Sequence, residues 1–176
     1  MNVFKCRVCG DPYVGNTKPS NCPFCGAPAK FIILADNWVE PEPPILSDVT
    51  RKHLESALKL EVDNVQFYRC AMNATDEPLT KEMFKALSRI ESEHASVICK
   101  YLNVPKVAVQ DVPEICGLTT REEHLEEALR REQEAVKFYS AAARGTTEEP
   151  VREFFEAVSE VENDHISLSQ LRLGIA

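Results

Sequence analysis

A single offset of 71 residues runs through most of this chain and limits what it can fold into. Glu61, Glu91 and His94 recur as Glu132, Glu162 and His165. Leu54, Ala57, Leu58, Phe67, Tyr68, Ala71 and Phe84 recur as Leu125, Ala128, Leu129, Phe138, Tyr139, Ala142 and Phe155, and His53 pairs with His124. A period this long describes a duplicated helix pair, not a solenoid of short units. Helical residues three apart share a face, so Glu91/His94 and Glu162/His165 can each present two ligands inward. Four carboxylates and two imidazoles converging from four helices form the donor set of a paired transition-metal site.

The apolar periodicity supports that reading. Leu54, Leu58, Glu61, Val65 and Tyr68 share one face of a helix expected over 48–75. Phe84, Leu87, Glu91, His94 and Ile98 do the same for a helix over 79–102. Residues 103–119, with Pro105, Pro113 and Gly117, read as a long crossover. A third helix should open on the capping box Thr120-x-x-Glu123 and end before Gly145, and a fourth should run from Pro150 to about Arg172. Two hairpins joined by one crossover describe a ferritin-like four-helix bundle over residues 49–176.

Glutamates in the middle of apolar stripes cost several kcal/mol each unless opposite charge or metal compensates them. No lysine or arginine shares these stripes nearby, whereas two divalent irons would balance Glu61, Glu91, Glu132 and Glu162. Glu91 and Glu162 are placed to bridge two metals, with Glu61 and Glu132 as terminal chelators and His94 and His165 binding one metal each. Tyr68 and Tyr139 follow the terminal glutamates by two turns on the same face. There they can hydrogen-bond a ligand carboxylate or bound oxygen species, or serve as core tyrosines needing a polar partner. His53 and His124, near helix starts, suit exposed or capping roles. Cys70, Cys99 and Cys116 read as buried small hydrophobes.

Residues 1–38 carry different chemistry. Cys6-x-x-Cys9 and Cys22-x-x-Cys25 are separated by twelve residues, and Gly10 and Gly26 follow the pairs where positive φ is often needed. Two such knuckles make a metal site, and a segment this small needs the metal to fold. The spacing does not choose zinc from iron. Residues 39–48, VEPEPPILSD, are a proline-rich, semi-rigid linker.

Charge is uneven. Of the net −8, residues 1–38 hold +2 and the remainder −10, so the two parts are complementary in sign and suited to dock. The acidic body lacks the basic face that nucleic acids require. The longest apolar run, Phe31 to Ala35, is far too short to span a membrane, and the start MNVFKCRVCG lacks a secretory apolar stretch. A cytoplasmic protein with reduced thiols is expected.

CRVCG at 6–10, CPFCG at 22–26 and the following PAKF resemble the rubredoxin-like domain of rubrerythrins. Glu61…Tyr68, Glu91-x-x-His94, Glu132…Tyr139 and Glu162-x-x-His165 resemble that family's di-iron motifs, and the likeness covers nearly the whole chain. The cysteine domain comes first, as in "reverse" rubrerythrins. The resemblance implies an Fe(Cys)4 centre at Cys6, Cys9, Cys22 and Cys25 relaying electrons to a di-iron centre that reduces hydrogen peroxide to water. It also implies a homodimer with relay between subunits, fed by a rubredoxin or an NAD(P)H-dependent reductase. One departure stands out: many members carry an extra glutamate three residues after the third-helix ligand, and here that position is Ala135. Glu134, about 200° around the helix from Glu132, cannot replace it. A more symmetric site follows, with three protein ligands per iron and the family's redox-linked ligand exchange in doubt. An oxidase or ferroxidase is the alternative reading, and a zinc ribbon joined to a structural bundle is a third. Zinc can also occupy either site in recombinant material.

Overall fold

The computed structural model describes residues 1–108 and 116–176. The chain is mainly helical: α1 spans Asp48–Ala74, α2 Pro78–Leu102, α3 Arg121–Gly145 and α4 Glu149–Leu173. A three-stranded antiparallel sheet precedes them, with β1 (Asn2–Cys6) between β2 (Pro12–Gly15) and β3 (Ile32–Leu34). The helices form two hairpins, α1 on α2 and α3 on α4, packed into the expected ferritin-like bundle.

Local chemistry sets the helix ends. The Ser47 hydroxyl accepts from the Thr50 amide at the start of α1, and Thr120 and Glu123 form the expected capping box on α3. Glu77 and Glu148, one repeat apart, play related parts. Glu77 accepts the Leu79 and Thr80 amides and binds Arg172 at 2.6 Å, while Glu148 accepts from Ser47 N and Thr50 Oγ1 at the head of α1. Two boundaries differ from expectation. Helix α3 includes Gly145, because Thr146 beyond it is extended and its N–H still reaches Ala143 O. Helix α4 begins at Glu149, one residue before its proline. Pro113 lies outside the described residues.

The small sheet region sits directly on the bundle. Arg7 and Lys30 pair with Glu153 and Glu160 of α4 at 2.6 Å each, and Asn21 reaches Asp164. Lys100 of α2 donates to Cys9 O at 3.0 Å. Gly26, at φ +76°, lies so close to α4 that a Cβ there would come within 2.8 Å of Val161. The complementary charges therefore face each other, and the backbone of the second knuckle touches the helices.

The thiols correct one expectation. Cys99 is a buried free cysteine, but Cys70 of α1 is disulfide-bonded to Cys116, at the end of the crossover. Leu118, just before α3, packs beside Phe67 and Tyr68 of α1. The two bonded thiols are 46 residues apart in sequence, a pairing that no local pattern reveals. In the chain-entropy view a bridge closing a loop of this length restricts the unfolded chain by about 4 kcal/mol. Reduction, or the pair C70A/C116A, is therefore expected to lower the unfolding free energy by about 2–4 kcal/mol, read from the shift of the urea midpoint.

Candidate di-metal centre

Each inward stripe delivers its polar residues to one level of the bundle. Glu61, Glu91, Glu132 and Glu162 are fully buried, as is His94, and His165 is 5% exposed. Their donor atoms form two overlapping groups, Glu61/Glu91/His94/Glu162 and Glu91/Glu132/Glu162/His165, with the atoms of each group within 4.8 Å of one another. Glu91 and Glu162 belong to both. Glu91 offers Oε2 to His94 Nδ1 at 3.1 Å and Oε1 to His165 Nδ1 at 3.3 Å. Glu162 offers Oε2 to His165 Nδ1 at 3.1 Å and lies 3.7 Å from His94 Nδ1 through Oε1. Glu61 stands 3.5 Å from His94 and Glu132 3.7 Å from His165, each serving one half only. Two shared and two terminal carboxylates are the layout a bridged metal pair requires.

The tyrosines cross the pseudo-twofold axis. Tyr68 of α1 donates its hydroxyl to Glu132 Oε1, and Tyr139 of α3 donates to Glu61 Oε1. Each terminal carboxylate thus has one oxygen held by the other hairpin and one left over. Glu61 Oε2, Glu132 Oε2, Glu91 Oε1 and Glu162 Oε1 are buried with no hydrogen-bond partner among the described residues. Unpartnered buried carboxylate oxygens are costly, and cations are what such oxygens bind. The residues present fit a metal pair.

Electrostatics without the metals points the same way. Burial, with the charge of Glu91, pushes Glu61 up to about 8. Burial also drives Glu162 well above the carboxylate range, with Glu91 and Glu132 adding to it. Glu91 is held low, because the two imidazoles beside it, His165 and His94, outweigh its burial. Both imidazoles are raised despite burial, His94 by Glu61 and Glu91, His165 by Glu132, Glu162 and Glu91. Protons stand in for the missing cations. Burial and Glu61 together keep the proton on the Tyr139 hydroxyl.

The four cysteines form the second cluster. Cys6 Sγ is 3.7 Å from Cys25 Sγ, and Cys9 Sγ is 3.8 Å from Cys22 Sγ. Metal–sulfur bonds of about 2.3 Å in a tetrahedron give sulfur separations of about 3.8 Å, so the sulfurs stand as a bound ion would hold them. Gly10 and Gly26 adopt φ of +84° and +76°, and the Asp11 amide donates to Cys9 Sγ. Mutual hydrogen bonding among the crowded thiols pulls Cys22 far down and pushes Cys9 and Cys25 far up.

His94 connects the clusters. Its Nε2–H donates to the carbonyl of Cys25 at 2.9 Å, and its Nδ1 faces the carboxylates. A carbonyl only accepts, so Nε2 keeps its proton and Nδ1 is the nitrogen that a metal would take in exchange for a proton. This link is made within one chain. His165, the repeat partner, has no such bond among the described residues. Sequence reasoning missed the link because it depends on how the small domain docks.

Other residues are placed apart from the donors. Glu134 is exposed and bound to Arg130 at 2.7 Å, so it takes no part. His53 is part-buried beside Thr146. Of the exposed or capping roles expected for His124, exposure does not hold: it is buried, Nδ1 donates to O of the N-cap residue Thr120 at 2.7 Å, and the ring lies edge-on to Phe84. Both stand outside the metal-donor groups. Among the described residues, no helix is long and apolar enough to cross a membrane.

Comparison with known proteins agrees with this layout. The Rubrerythrin family profile matches residues 52–170, and that of the rubrerythrin rubredoxin-like domain matches residues 4–32. The chain is 30% identical over 119 residues to Reverse rubrerythrin-1 of Clostridium acetobutylicum, an alignment covering 61% of this chain and 66% of that protein. The chain thus spans just under two thirds of that relative's length. The domain matches and the two donor clusters together support iron as the cofactor of both.

The proton-for-metal exchange has a sign that can be checked. Glu61, Glu162 and both histidines hold protons to higher pH folded than unfolded. Their contribution is present in full below the unfolded values and is lost as pH rises through the folded ones. Metal-free protein is therefore expected to lose stability between about pH 5 and 8. Iron-loaded protein should not, and the melting temperatures of the two across that range decide it.

Proposed function

Because the chain belongs to the rubrerythrin family, we propose that it is a non-haem di-iron peroxidase that reduces hydrogen peroxide to water, with electrons relayed through the four-cysteine iron. The observation that carries this reading is the His94 Nε2–H···O=C Cys25 hydrogen bond, which joins an electron-carrying cluster to a two-metal cluster. In the reaction the O–O bond of H2O2 breaks, two electrons and two protons are taken up, and two waters leave. Iron supplies the one-electron steps that sum to this reduction.

The chain's own residues set the stage for it. Glu91 and Glu162 would bridge the metals and fix their separation. Glu61 and Glu132 would complete each coordination shell, held against swinging by Tyr139 and Tyr68. His94 and His165 would bind one metal each, and Cys6, Cys9, Cys22 and Cys25 the single iron. The tyrosine hydroxyls donate to the terminal carboxylates within the buried core of the bundle. The same reading makes the protein a cytoplasmic homodimer that takes electrons from a rubredoxin or an NAD(P)H-dependent reductase.

One observation favours an oxidase or ferroxidase: Ala135 removes a carboxylate that many family members carry. Oxidising the reduced, iron-loaded protein with peroxide and separately with oxygen distinguishes the two, a clear preference for peroxide supporting the first reading.

Replacing Glu91 or Glu162 with alanine is expected to abolish peroxide turnover while the visible bands of the cysteine-bound iron remain. Retained turnover in either variant would remove the assignment. The intrachain link gives a second expectation. Co-assembled chains, one carrying C9S/C22S and the other E91A, should recover no turnover, whereas relay between subunits would restore it.

A further inference from the structure

The repeat is broken at one buried polar position that the scheme above does not use. Asn64 lies one turn beyond Glu61 on α1, and its repeat partner is Ala135 on α3. Asn64 is 3% exposed, and its Oδ1 accepts from Arg131 Nη1 at 3.2 Å. A guanidinium can only donate, so the amide oxygen must face Arg131 and the nitrogen must turn away. That nitrogen is buried with no partner among the described residues.

Arg131 is itself held in place. It donates to Glu127 Oε1 at 2.8 Å, and its guanidinium lies 4.5 Å from the centre of the Phe67 ring. Asn64 and Arg131 line a cleft of about 260 Å³ on the α1/α3 face, with Leu60 and Asp63. Helical residues three apart share a face, so Asn64 lies on the Glu61 side of α1 while its oxygen is taken by Arg131 of α3. Ala135, its repeat partner on α3, supplies only a methyl group. The α2/α4 face is closed by the cysteine knuckle, through His94 on Cys25 and Gly26 on Val161. The unpartnered amide nitrogen of Asn64 lies on the other side, between α1 and α3.

We propose that Asn64 Nδ2 is the hydrogen-bond donor that receives the oxidant at the Glu61/Glu132 side of the metal pair, and that Arg131 is the positioning residue that orients it. The identity of the oxidant rests on the peroxidase reading; the existence of the donor does not. A buried donor lacking a protein partner is satisfied only by what comes into the site. A small ligand with a lone pair, such as peroxide, meets that need. Because the amide stands over one half of the repeat alone, it holds such a ligand off-centre, nearer Glu61.

The test uses the iron-loaded full-length protein and azide as a probe of the open side, titrated by visible absorption. N64L removes the donor at similar volume and is expected to weaken azide binding about 3–10-fold, the loss of one hydrogen bond, with iron content unchanged. The same variant should raise KM for peroxide more than it lowers kcat. R131M keeps Asn64 but frees its amide to rotate, and it carries the same test if N64L does not fold; a smaller loss of azide affinity is expected. Unchanged azide affinity per loaded site in N64L, or in R131M where N64L does not fold, would overturn the proposal, since a purely structural Asn64 alters stability or loading but not that affinity. Weakened azide binding in a protein that turns over no peroxide would leave the donor standing and remove the peroxidase reading.

Discussion

Everything in the bundle is arranged around four carboxylates that have been taken out of water. Each ion so placed costs several kcal/mol, and the two imidazoles present cannot offset all four. Protonation relieves the metal-free pocket only by sacrificing charge on Glu61 and Glu162. A pair of cations relieves it without that loss. The apolar stripes, the crossed tyrosines and the tight hairpins all serve to hold these oxygens where water cannot reach them. Without the cluster's need for cations, nothing in the core would justify polar groups at that level.

The second constraint is contact between two chemically different parts of the chain. Paired charges at Arg7/Glu153 and Lys30/Glu160 are part-exposed, and each contributes little by itself. They act together with Gly26, whose missing side chain lets the knuckle backbone press on α4. The outcome is a carbonyl placed on a histidine of the donor cluster, which no single surface pair would secure. Opposite faces of the bundle then have different tasks, the knuckle on one and an open cleft on the other.

Much of this was legible in the sequence because the duplication repeats spacing and stripe together. Glu91/His94 and Glu162/His165 are readable from helix geometry, and the capping box at Thr120 from local hydrogen bonding. The cysteine knuckles are readable because their geometry is local. What escaped depends on contacts between distant segments. Cys70 and Cys116 are 46 residues apart and meet only in the fold, and His124 is covered in part by Phe84 of another hairpin. Asn64 was within reach: subtracting 71 from the noted Ala135 leads to it, but its importance appears only once Arg131 fixes the amide. Gly145 stayed helical because Thr146, and not the glycine, takes the extended conformation.

The hydrogen bond from His94 to Cys25 also bears on how the metal pair is assembled. One imidazole has its ring held by a bond to a distant part of the chain, while His165 has no bond of that kind among the described residues. Two pockets with the same donors are thereby unequal in readiness. The half that includes His94 has one ring less free to turn, a difference that the 71-residue repeat does not itself carry. The cysteine segment thus tells apart two donor groups to which it contributes no side chain.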